Sequence, residues 1–166
     1  IRDRILTSQE RASLLEKLGV DVLVECQLSD RIRHMKAENF IKEILMGDLG
    51  ASYVVVGEDN RFGFERKGTP RLLMEFGEKY GFDVEILSKE MDGHRKISST
   101  YIREELKKGN MEKVTSLMGR DYFVEGQVVH GRGMGHKVLL PTTNLVPPRT
   151  KILPPNGVYV LSLIHI

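Results

Sequence analysis

Segments that favour strands alternate with segments that favour helices through most of the chain. Three runs rich in β-branched or aromatic residues have the composition of strands, at 20–25, 53–56 and 82–87. Helical patterns separate them, and the spacing of roughly 30 residues is typical of a parallel sheet with right-handed helical crossovers. The sequence therefore predicts an α/β fold with a parallel sheet, on which ligands bind beyond the carboxyl ends of the strands.

Capping residues mark where the predicted helices begin and end. Thr7 and Glu10 form a capping box before a helix expected at about 8–18, and a glycine follows it. Pro70 suits the first turn of a later helix, which Gly81 ends. Between these two helices, apolar residues recur at helical spacing: Ala37, Phe40, Ile41, Ile44 and Leu45.

Composition excludes several classes of protein. With 40% hydrophobic and 29% charged residues, the chain is ordinary for a soluble globular protein, and no apolar run approaches a membrane span of about 20 residues. A formal net charge of +2 favours small phosphorylated ligands over nucleic acid. Cys26, the single cysteine, allows neither a disulfide framework nor a thiolate metal cluster. We expect a cytoplasmic protein without nucleic-acid or membrane partners.

Three hydroxyl side chains, Ser98, Ser99 and Thr100, lie where a polar loop turns into a helix. The first turn of a helix has unpaired N–H groups and the positive end of the helix dipole, so residues there can hold an anion. Arg103 follows one turn later and can bind the same anion through two hydrogen bonds. On spacing alone, an ordinary N-cap is the more frequent explanation.

The loop after the second predicted strand, 57–68, is rich in glycine, charge and aromatic residues. Gly57 and the other glycines can let the backbone approach a ligand, and either Phe62 or Phe64 offers a ring that can stack on or wall a planar group. The basic residues that can meet phosphates are Arg61, Arg66 and Lys67. The loop after the third strand leads to Ser98, so a parallel sheet would open both loops at one edge. That shared edge favours a nucleotide site over the alternative, a solvated basic loop with a locally packed phenylalanine.

Helical periodicity disappears after a short helical stretch at 111–118. From Asp121 onward, glycine-rich turns, prolines and alternating valines indicate a β-rich segment. We therefore expect a domain boundary at about 119–120, which divides the chain into domains at 1–119 and 120–160. The second of these is too short to close a barrel by itself.

A basic glycine-rich loop in the second segment precedes Pro141-Thr142-Thr143-Asn144. The residues of this loop that can meet nucleotide phosphates are Gly131, Gly133, Gly135, His136 and Lys137. Thr142 and Asn144 carry hard oxygen ligands that suit Mg²⁺ when nucleotide phosphates supply the negative charge. The loop is not a Walker motif, because no Gly-Lys-Ser/Thr closes it, and without nearby cysteines its histidines are not expected to bind zinc.

Five elements, in matching order and spacing, resemble those of one family, the prokaryotic bifunctional riboflavin kinase/FAD synthetase. The loop 57–63 resembles the family's Gly-x-(Asn/Asp)-x-x-Phe-Gly element, and 97–103 resembles its Ile-Ser-Ser-Thr-x-Ile-Arg element. Residues 126–131, 141–145 and 153–159 are similar to the opening of its kinase module. The resemblance implies a Rossmann-like nucleotidyltransferase sheet, present in part, followed by the start of a β-barrel riboflavin kinase domain.

The resemblance also implies roles for particular residues. In the formation of FAD from FMN and ATP, Ser99 and Thr100 hold phosphates and Arg103 stabilises the developing charge. The other residues implied for this nucleotide site are Gly57, Asp59, Arg61, Phe62 and Ser98. In the phosphorylation of riboflavin to FMN, the glycine-rich loop covers the phosphates of ATP, while Thr142 and Asn144 bind Mg²⁺.

Some features depart from the family pattern. The family's His-x-Gly-His motif and the glutamate base of its kinase are expected upstream and downstream of this chain, so we expect little activity from the chain alone. His136 and Leu139 replace a usual arginine and a usual glycine of the family. Residues 161–166 resemble translated sequencing-adapter sequence and are expected to be non-native.

Two alternative functions stay open: a related adenylyltransferase with another phosphorylated acceptor, and a non-catalytic nucleotide-binding fragment. Oligomeric state is not predicted.

Overall fold

A computed structural model describes residues 3–130 and 143–164. The chain forms two compact units, one made of Ile1–Leu23 with Ile97–Ile166 and the other of Val24–Lys96. The helices are α1 (Ser8–Lys17), α2 (Asp30–Arg33), α3 (Ala37–Asn39), a π-helix (Phe40–Asp48), a 3-10 turn (Phe64–Arg66), α4 (Pro70–Tyr80), α5 (Ser99–Lys108) and α6 (Met111–Met118). The strands are β1 (Tyr53–Gly57), β2 (Asp83–Leu87), β3 (Met91–Asp92), β4 (Arg95–Lys96), β5 (Gln127–Val129) and β6 (Asn144–Val146).

The unit Val24–Lys96 is built around two parallel strands, β1 and β2. They pair from Tyr53 opposite Asp83 to Gly57 opposite Leu87, so both strands end at the same edge. The connection between them contains α4, which packs against β2. The most buried residues of this core are Ile41, Leu73 and Phe82. The structure is thus mixed α/β with a parallel sheet, as the sequence predicts.

Helix α4 has the capping residues that its sequence predicts. The Thr69 side chain accepts a backbone hydrogen bond of 3.2 Å at the N-cap, Pro70 is the first helical residue, and Gly81 ends the helix with a φ of +80°. Gly77, in the middle of the helix, is buried, and a Cβ there would lie 2.5 Å from the carbonyl oxygen of Phe82. The absence of a side chain at Gly77 therefore lets α4 approach the start of β2 closely.

The helix predicted around Ala37 to Leu45 is present, with an unusual hydrogen-bond pattern in its longer part. One α-helical turn, α3, continues into the π-helix, in which hydrogen bonds join residues five apart. The same spacing recurs at its end, where the Leu49 amide donates to the Ile44 carbonyl at 2.9 Å. Ala37 and Ile41 are buried, in agreement with the apolar pattern.

The prediction of a buried strand at 20–25 is wrong. This segment has no strand structure, and its side chains are exposed, Val22 by 74% and Val24 by 60%. β-branched residues favour extended backbone, but a strand also needs a neighbour with which to exchange hydrogen bonds. In the described part of the unit Val24–Lys96, β1 pairs in parallel only with β2. The boundary between the compact units also falls within the segment, after Leu23.

The other compact unit contains α1, α5 and α6. Leu106 on α5, Val114 on α6 and Ile152 form its most buried cluster. The predicted capping box opens α1: the Thr7 hydroxyl accepts a hydrogen bond from the Glu10 amide at 3.1 Å, and the Glu10 carboxylate accepts one from the Thr7 amide at 2.8 Å. None of the helices that the structure describes is long and apolar enough to cross a membrane.

Strands β5 and β6 form an antiparallel pair in the same unit, with Gln127 opposite Val146. They lie in the segment for which the sequence predicts β structure. Helix α6 ends before them, and Gly119 follows it with a φ of +66°. The compact units divide the chain elsewhere, after Leu23 and after Lys96. A domain boundary at 119–120 stays a prediction.

Candidate functional site

The loop after β1 begins at the carboxyl edge of the parallel pair. The Glu58 amide donates a hydrogen bond of 2.9 Å to the carbonyl of Leu87, the last residue of β2. The Asn60 amide donates back to the carbonyl of Gly57 at 3.0 Å and closes a tight turn. Gly57 and Asp59, both predicted to bind a nucleotide, therefore lie at the edge where parallel sheets bind their ligands.

Two lysines from the segment after β2 pair with the acidic residues of this turn. Asp59 pairs with Lys89, and Glu58 pairs with Lys96 at 2.5 Å. The hydrogen bond from Lys89 lowers the pKa of Asp59, the hydrogen bond from Lys96 lowers the pKa of Glu58, and the same bond raises the pKa of Lys96. These three shifts favour the charged forms of Asp59, Glu58 and Lys96 at neutral pH.

Arg61 and Phe62 differ in what they can offer to a ligand. The Arg61 side chain is exposed, and its guanidinium donates to the carbonyl of Asn60 at 2.7 Å. Phe62 is half-buried and packs its ring against that of Phe40, with the two centroids 5.6 Å apart. Phe62 therefore belongs to the packed base of the loop, whereas Phe64, 37% exposed, presents the more accessible ring.

Gly63, the last glycine of the loop motif, makes room for a neighbouring helix. Its φ is +71°, and a Cβ there would lie 2.6 Å from the Cα of Ala37, the first residue of α3. The glycine-rich sequence of this loop predicts close approach of a ligand to the backbone. At Gly63 the close neighbour is instead the backbone of the protein, so this part of the motif serves packing.

We expect Gly63→Ala to destabilise the protein by more than Gly81→Ala does. Both substitutions place a side chain at a positive φ, which costs about 1–3 kcal/mol. At Gly81 a Cβ would meet no atom within 4 Å, whereas at Gly63 it would overlap Ala37. Overpacking adds roughly 1–3 kcal/mol, and denaturant unfolding measures the difference. Equal destabilisation by the two variants would show that the contact with Ala37 is relieved without cost.

Helix α5 begins at the predicted hydroxyl cluster. Ser98 is its N-cap, and the Ser98 hydroxyl accepts a hydrogen bond from the Tyr101 amide at 3.2 Å. Ser99 and Thr100 are the first two residues of the helix, and both are exposed. The N-cap interpretation is therefore correct for Ser98, and the two hydroxyls that follow it lie at the positive end of a 10-residue helix.

Arg103 lies one turn further along α5 and is half-buried. Its Nε donates to the backbone carbonyl of Asp3 at 2.9 Å, and Lys107 of the same helix pairs with the Asp3 carboxylate at 3.2 Å. Arg103 and the hydroxyl cluster belong to one compact unit and the loop after β1 belongs to the other. A common nucleotide site formed by these two groups of residues stays a prediction.

Most residues predicted to bind nucleotide in the β-rich segment lie outside the described part of the chain. These are Gly131, Gly133, Gly135, His136, Lys137 and Thr142. Asn144 is described: it is the first residue of β6, pairs with Val129 and has an exposed side chain. Within residues 3–130 and 143–164, no group of three histidine, cysteine or acidic side chains could hold a metal ion.

A buried ion pair joins Glu10 and Lys151, which lie 141 residues apart, and no sequence motif links them. The side chains are 1% and 0% exposed, and the Lys151 ammonium lies 2.7 Å from the Glu10 carboxylate and 2.8 Å from the carbonyl of Ile5. The same ammonium lies over the ring of Tyr122, 4.5 Å from its centroid. Burial lowers the pKa of Lys151, and the hydrogen bond to Glu10 opposes that shift.

Comparison with known protein families divides the chain into two matched segments. Residues 1–101, more than half of the chain, match FAD synthetase. The chain belongs to the FAD synthetase family. Residues 118–165 match a second family, riboflavin kinase, so this member of the FAD synthetase family continues into riboflavin kinase sequence.

Curated relatives of this chain combine both family names. The bifunctional riboflavin kinase/FMN adenylyltransferase of Escherichia coli (strain K12) is 34% identical over 161 residues, 97% of this chain and 51% of the relative. The protein of the same name from Buchnera aphidicola subsp. Schizaphis graminum is 35% identical over 96% of this chain and 51% of its own length. The chain therefore spans about half the length of these curated relatives.

A solved structure has a similar fold. It is described as the crystal structure of a macrolide-efflux protein from Streptococcus pneumoniae, and it is 30% identical in sequence with a TM-score of 0.81. The similarity covers 93% of this chain and 49% of the solved chain.

Proposed function

We propose that the gene product containing this chain makes FAD from riboflavin in two ATP-dependent steps, by phosphorylation to FMN and adenylylation of FMN. The observation that carries the proposal is the presence of both family matches on one chain, FAD synthetase at 1–101 and riboflavin kinase at 118–165. Relatives similar to this chain over 96–97% of its length are named as bifunctional enzymes for these two reactions.

In the adenylylation step, a phosphate oxygen of FMN attacks the α-phosphorus of ATP. The bond between the α-phosphorus and the oxygen bridging it to the β-phosphorus breaks, and pyrophosphate leaves. Asp59 helps to position ATP, and the exposed hydroxyls of Ser99 and Thr100 hold phosphates at the start of α5. Arg103 neutralises negative charge as pyrophosphate departs. The residues accelerate the reaction by orientation and electrostatics, because the protein forms no covalent bond.

The other residues of this nucleotide site line the carboxyl edge of β1 and the start of α5. They are Gly57, Arg61, Phe62 and Ser98. In our proposal Arg61, whose side chain is exposed, contacts phosphate. Phe62 supports the loop by packing its ring against that of Phe40, and Ser98 fixes the start of α5 through its capping hydrogen bond. The loop after β1 thus offers charged side chains, and the start of α5 offers the backbone amides of a helix N-terminus.

In the phosphorylation step, the terminal hydroxyl of riboflavin gives its proton to a base and attacks the γ-phosphorus of ATP. The bond between the γ-phosphorus and the oxygen bridging it to the β-phosphorus breaks, and ADP leaves. In this proposal the phosphates of ATP are covered by the glycine-rich loop that contains Gly131, Gly133, Gly135, His136 and Lys137. Asn144 fits a role in binding Mg²⁺, because its exposed carboxamide at the start of β6 offers a hard neutral oxygen. Thr142 would supply a second oxygen of this kind. When bound, Mg²⁺ would neutralise phosphate charge.

The proposed domain organisation follows the two reactions. Residues 1–119 belong to a Rossmann-like nucleotidyltransferase domain, and 120–160 begin the β-barrel of the riboflavin kinase domain, with β5 and β6 as two of its strands. The parallel pair β1–β2 and the antiparallel pair β5–β6 support this division. The proposed partners are nucleotides and flavins, and the proposed location is the cytoplasm.

A coupled assay tests the proposal. The complete gene product, purified free of host flavin enzymes, is incubated with riboflavin, ATP and Mg²⁺, and flavins are separated by liquid chromatography. We expect FMN to form first and FAD to follow, with neither forming when ATP is left out. Formation of FMN without FAD, even when FMN is supplied, would exclude FMN as the acceptor and favour an adenylyltransferase with another phosphorylated acceptor. Formation of neither flavin would overturn the proposal.

A further inference from the structure

Four charged side chains form a cluster where β1 and β2 end. Glu58 and Asp59 follow β1, Lys89 follows β2, and Lys96 is the last residue of the β3–β4 hairpin. Asp59 pairs with Lys89, and Glu58 pairs with Lys96 at 2.5 Å. The Lys89 amide also donates a hydrogen bond to the Glu58 carboxylate. We call these four residues the edge cluster. All four belong to one compact unit, Val24–Lys96.

The edge cluster contributes little to the stability of the fold. The Asp59 and Lys96 side chains are 62% and 60% exposed, and their partners Lys89 and Glu58 are about one third exposed. Exposed ion pairs add little stability, because water screens the charges and two long side chains lose freedom. Both lysines can therefore change partner at small cost.

The position and the charges of the cluster point to a phosphate ligand. The carboxyl edge of parallel strands is where α/β proteins bind their ligands, and the turn from Gly57 to Asn60 opens there. A lysine ammonium is a mobile cation with three donors, and it suits phosphate oxygens as a point charge. The triphosphate of ATP carries more negative charge than one carboxylate, so it competes well for both lysines.

We propose that Lys89 and Lys96 bind the phosphates of ATP during FAD synthesis. Before the nucleotide arrives, Asp59 and Glu58 hold the two ammonium groups at the edge of the sheet. When ATP binds, the ammonium groups contact phosphate oxygens and neutralise the charge that pyrophosphate gains on leaving. The inference rests on the proposed adenylyltransferase function, and it assigns a role to two lysines that lie outside the motifs 57–63 and 97–103.

Kinetics of two glutamine variants test this inference in the complete gene product. We expect Lys89→Gln and Lys96→Gln each to raise the KM for ATP in FAD synthesis about tenfold, the loss typical of one charge-assisted hydrogen bond. Inhibition by pyrophosphate should weaken in parallel, and the KM for FMN should change little. Lys89→Arg and Lys96→Arg should recover most of the affinity, because arginine keeps the charge.

A matched control removes an exposed ion pair elsewhere in the same unit. Arg71→Gln breaks the pair with Glu75 on α4, where the two side chains are 89% and 56% exposed, and we expect the KM for ATP to stay unchanged. Riboflavin phosphorylation by each lysine variant serves as an internal control and should also be unchanged.

A protection experiment on the wild-type protein does not depend on the folding of any variant. Lysines are acetylated with and without pyrophosphate, and mass spectrometry compares Lys89 and Lys96 with Lys79 on α4. We expect pyrophosphate to slow acetylation of the first two at least several-fold and to leave Lys79 unaffected. If FAD forms but the KM for ATP is unchanged in the folded glutamine variants, or if pyrophosphate protects neither lysine, the inference is overturned. Failure of the wild-type protein to form any FAD instead overturns the proposed function.

Discussion

Arg103→Ala in the complete gene product is expected to reduce FAD formation from FMN by about 10²–10³-fold, the usual loss when one group that stabilises transition-state charge is removed. Phosphorylation of riboflavin should continue at nearly the wild-type rate, because Arg103 lies on α5, outside the segment that matches riboflavin kinase. Asn144→Ala should have the opposite effect, with riboflavin phosphorylation strongly reduced and FAD formation from supplied FMN retained. Separate assays of the two reactions give both rates.

Lys107→Ala is the matched control for Arg103→Ala. Lys107 lies one turn after Arg103 on the same helix and also contacts Asp3, so its removal disturbs the same neighbour and changes the net charge equally. We expect FAD formation to stay within about twofold of wild type. Gln127→Ala, on the strand paired with β6, is the corresponding control for Asn144. An equal loss of both activities in Arg103→Ala and Asn144→Ala would contradict the assignment of the two residues to different reactions.

The features of the fold that sequence predicts well are those that depend on local chemistry. Hydrogen bonds and backbone angles within a few residues determine three such features: the capping box of Thr7 and Glu10, the N-cap at Ser98 and the end of α4 at Gly81. Apolar spacing also identified the helix that begins at Ala37. In each case the sequence window contains both partners of the interaction, so the prediction needs no knowledge of the remaining chain.

The features that sequence misses depend on distant partners. The run 20–25 has strand composition, yet composition cannot show whether another strand lies alongside to pair with it. Gly63 has a packing role that becomes visible only when α3 lies against the loop. The edge cluster brings Glu58 to Lys96, 38 residues away. No periodicity or motif marks such pairs in a single sequence.

The candidate site shows the same division between local and distant information. Its motifs identify Asp59, Ser99 and Thr100 as residues at a loop and at a helix start, and the structure has them in such positions. What each side chain contacts could not be read from the motif. Phe62 packs into the core and Arg103 binds the Asp3 carbonyl, because tertiary packing determines which way a side chain points.

The buried pair of Glu10 and Lys151 is the clearest case of distant partners, since 141 residues separate them. It also leads to the largest stability effect that we expect. Glu10 Oε2 accepts hydrogen bonds from the Thr7 amide and the Lys151 ammonium, whereas Glu10 Oε1 is buried without a hydrogen-bond partner among the described residues. The carboxylate therefore depends on Lys151 to compensate its burial.

Lys151→Met is expected to lower the free energy of unfolding by about 3–5 kcal/mol, because it leaves the Glu10 carboxylate buried without its counter-ion. The double variant Glu10→Gln with Lys151→Met should recover much of that loss, because a neutral carboxamide can still cap α1 and costs less to bury. Denaturant unfolding of the complete gene product, followed by circular dichroism, measures both. Arg71→Gln, which removes an exposed charge pair, should change stability by less than about 1 kcal/mol. If the double variant is no more stable than Lys151→Met, the loss comes from the other contacts of the ammonium, with the Tyr122 ring and the Ile5 carbonyl, and not from the uncompensated charge of Glu10.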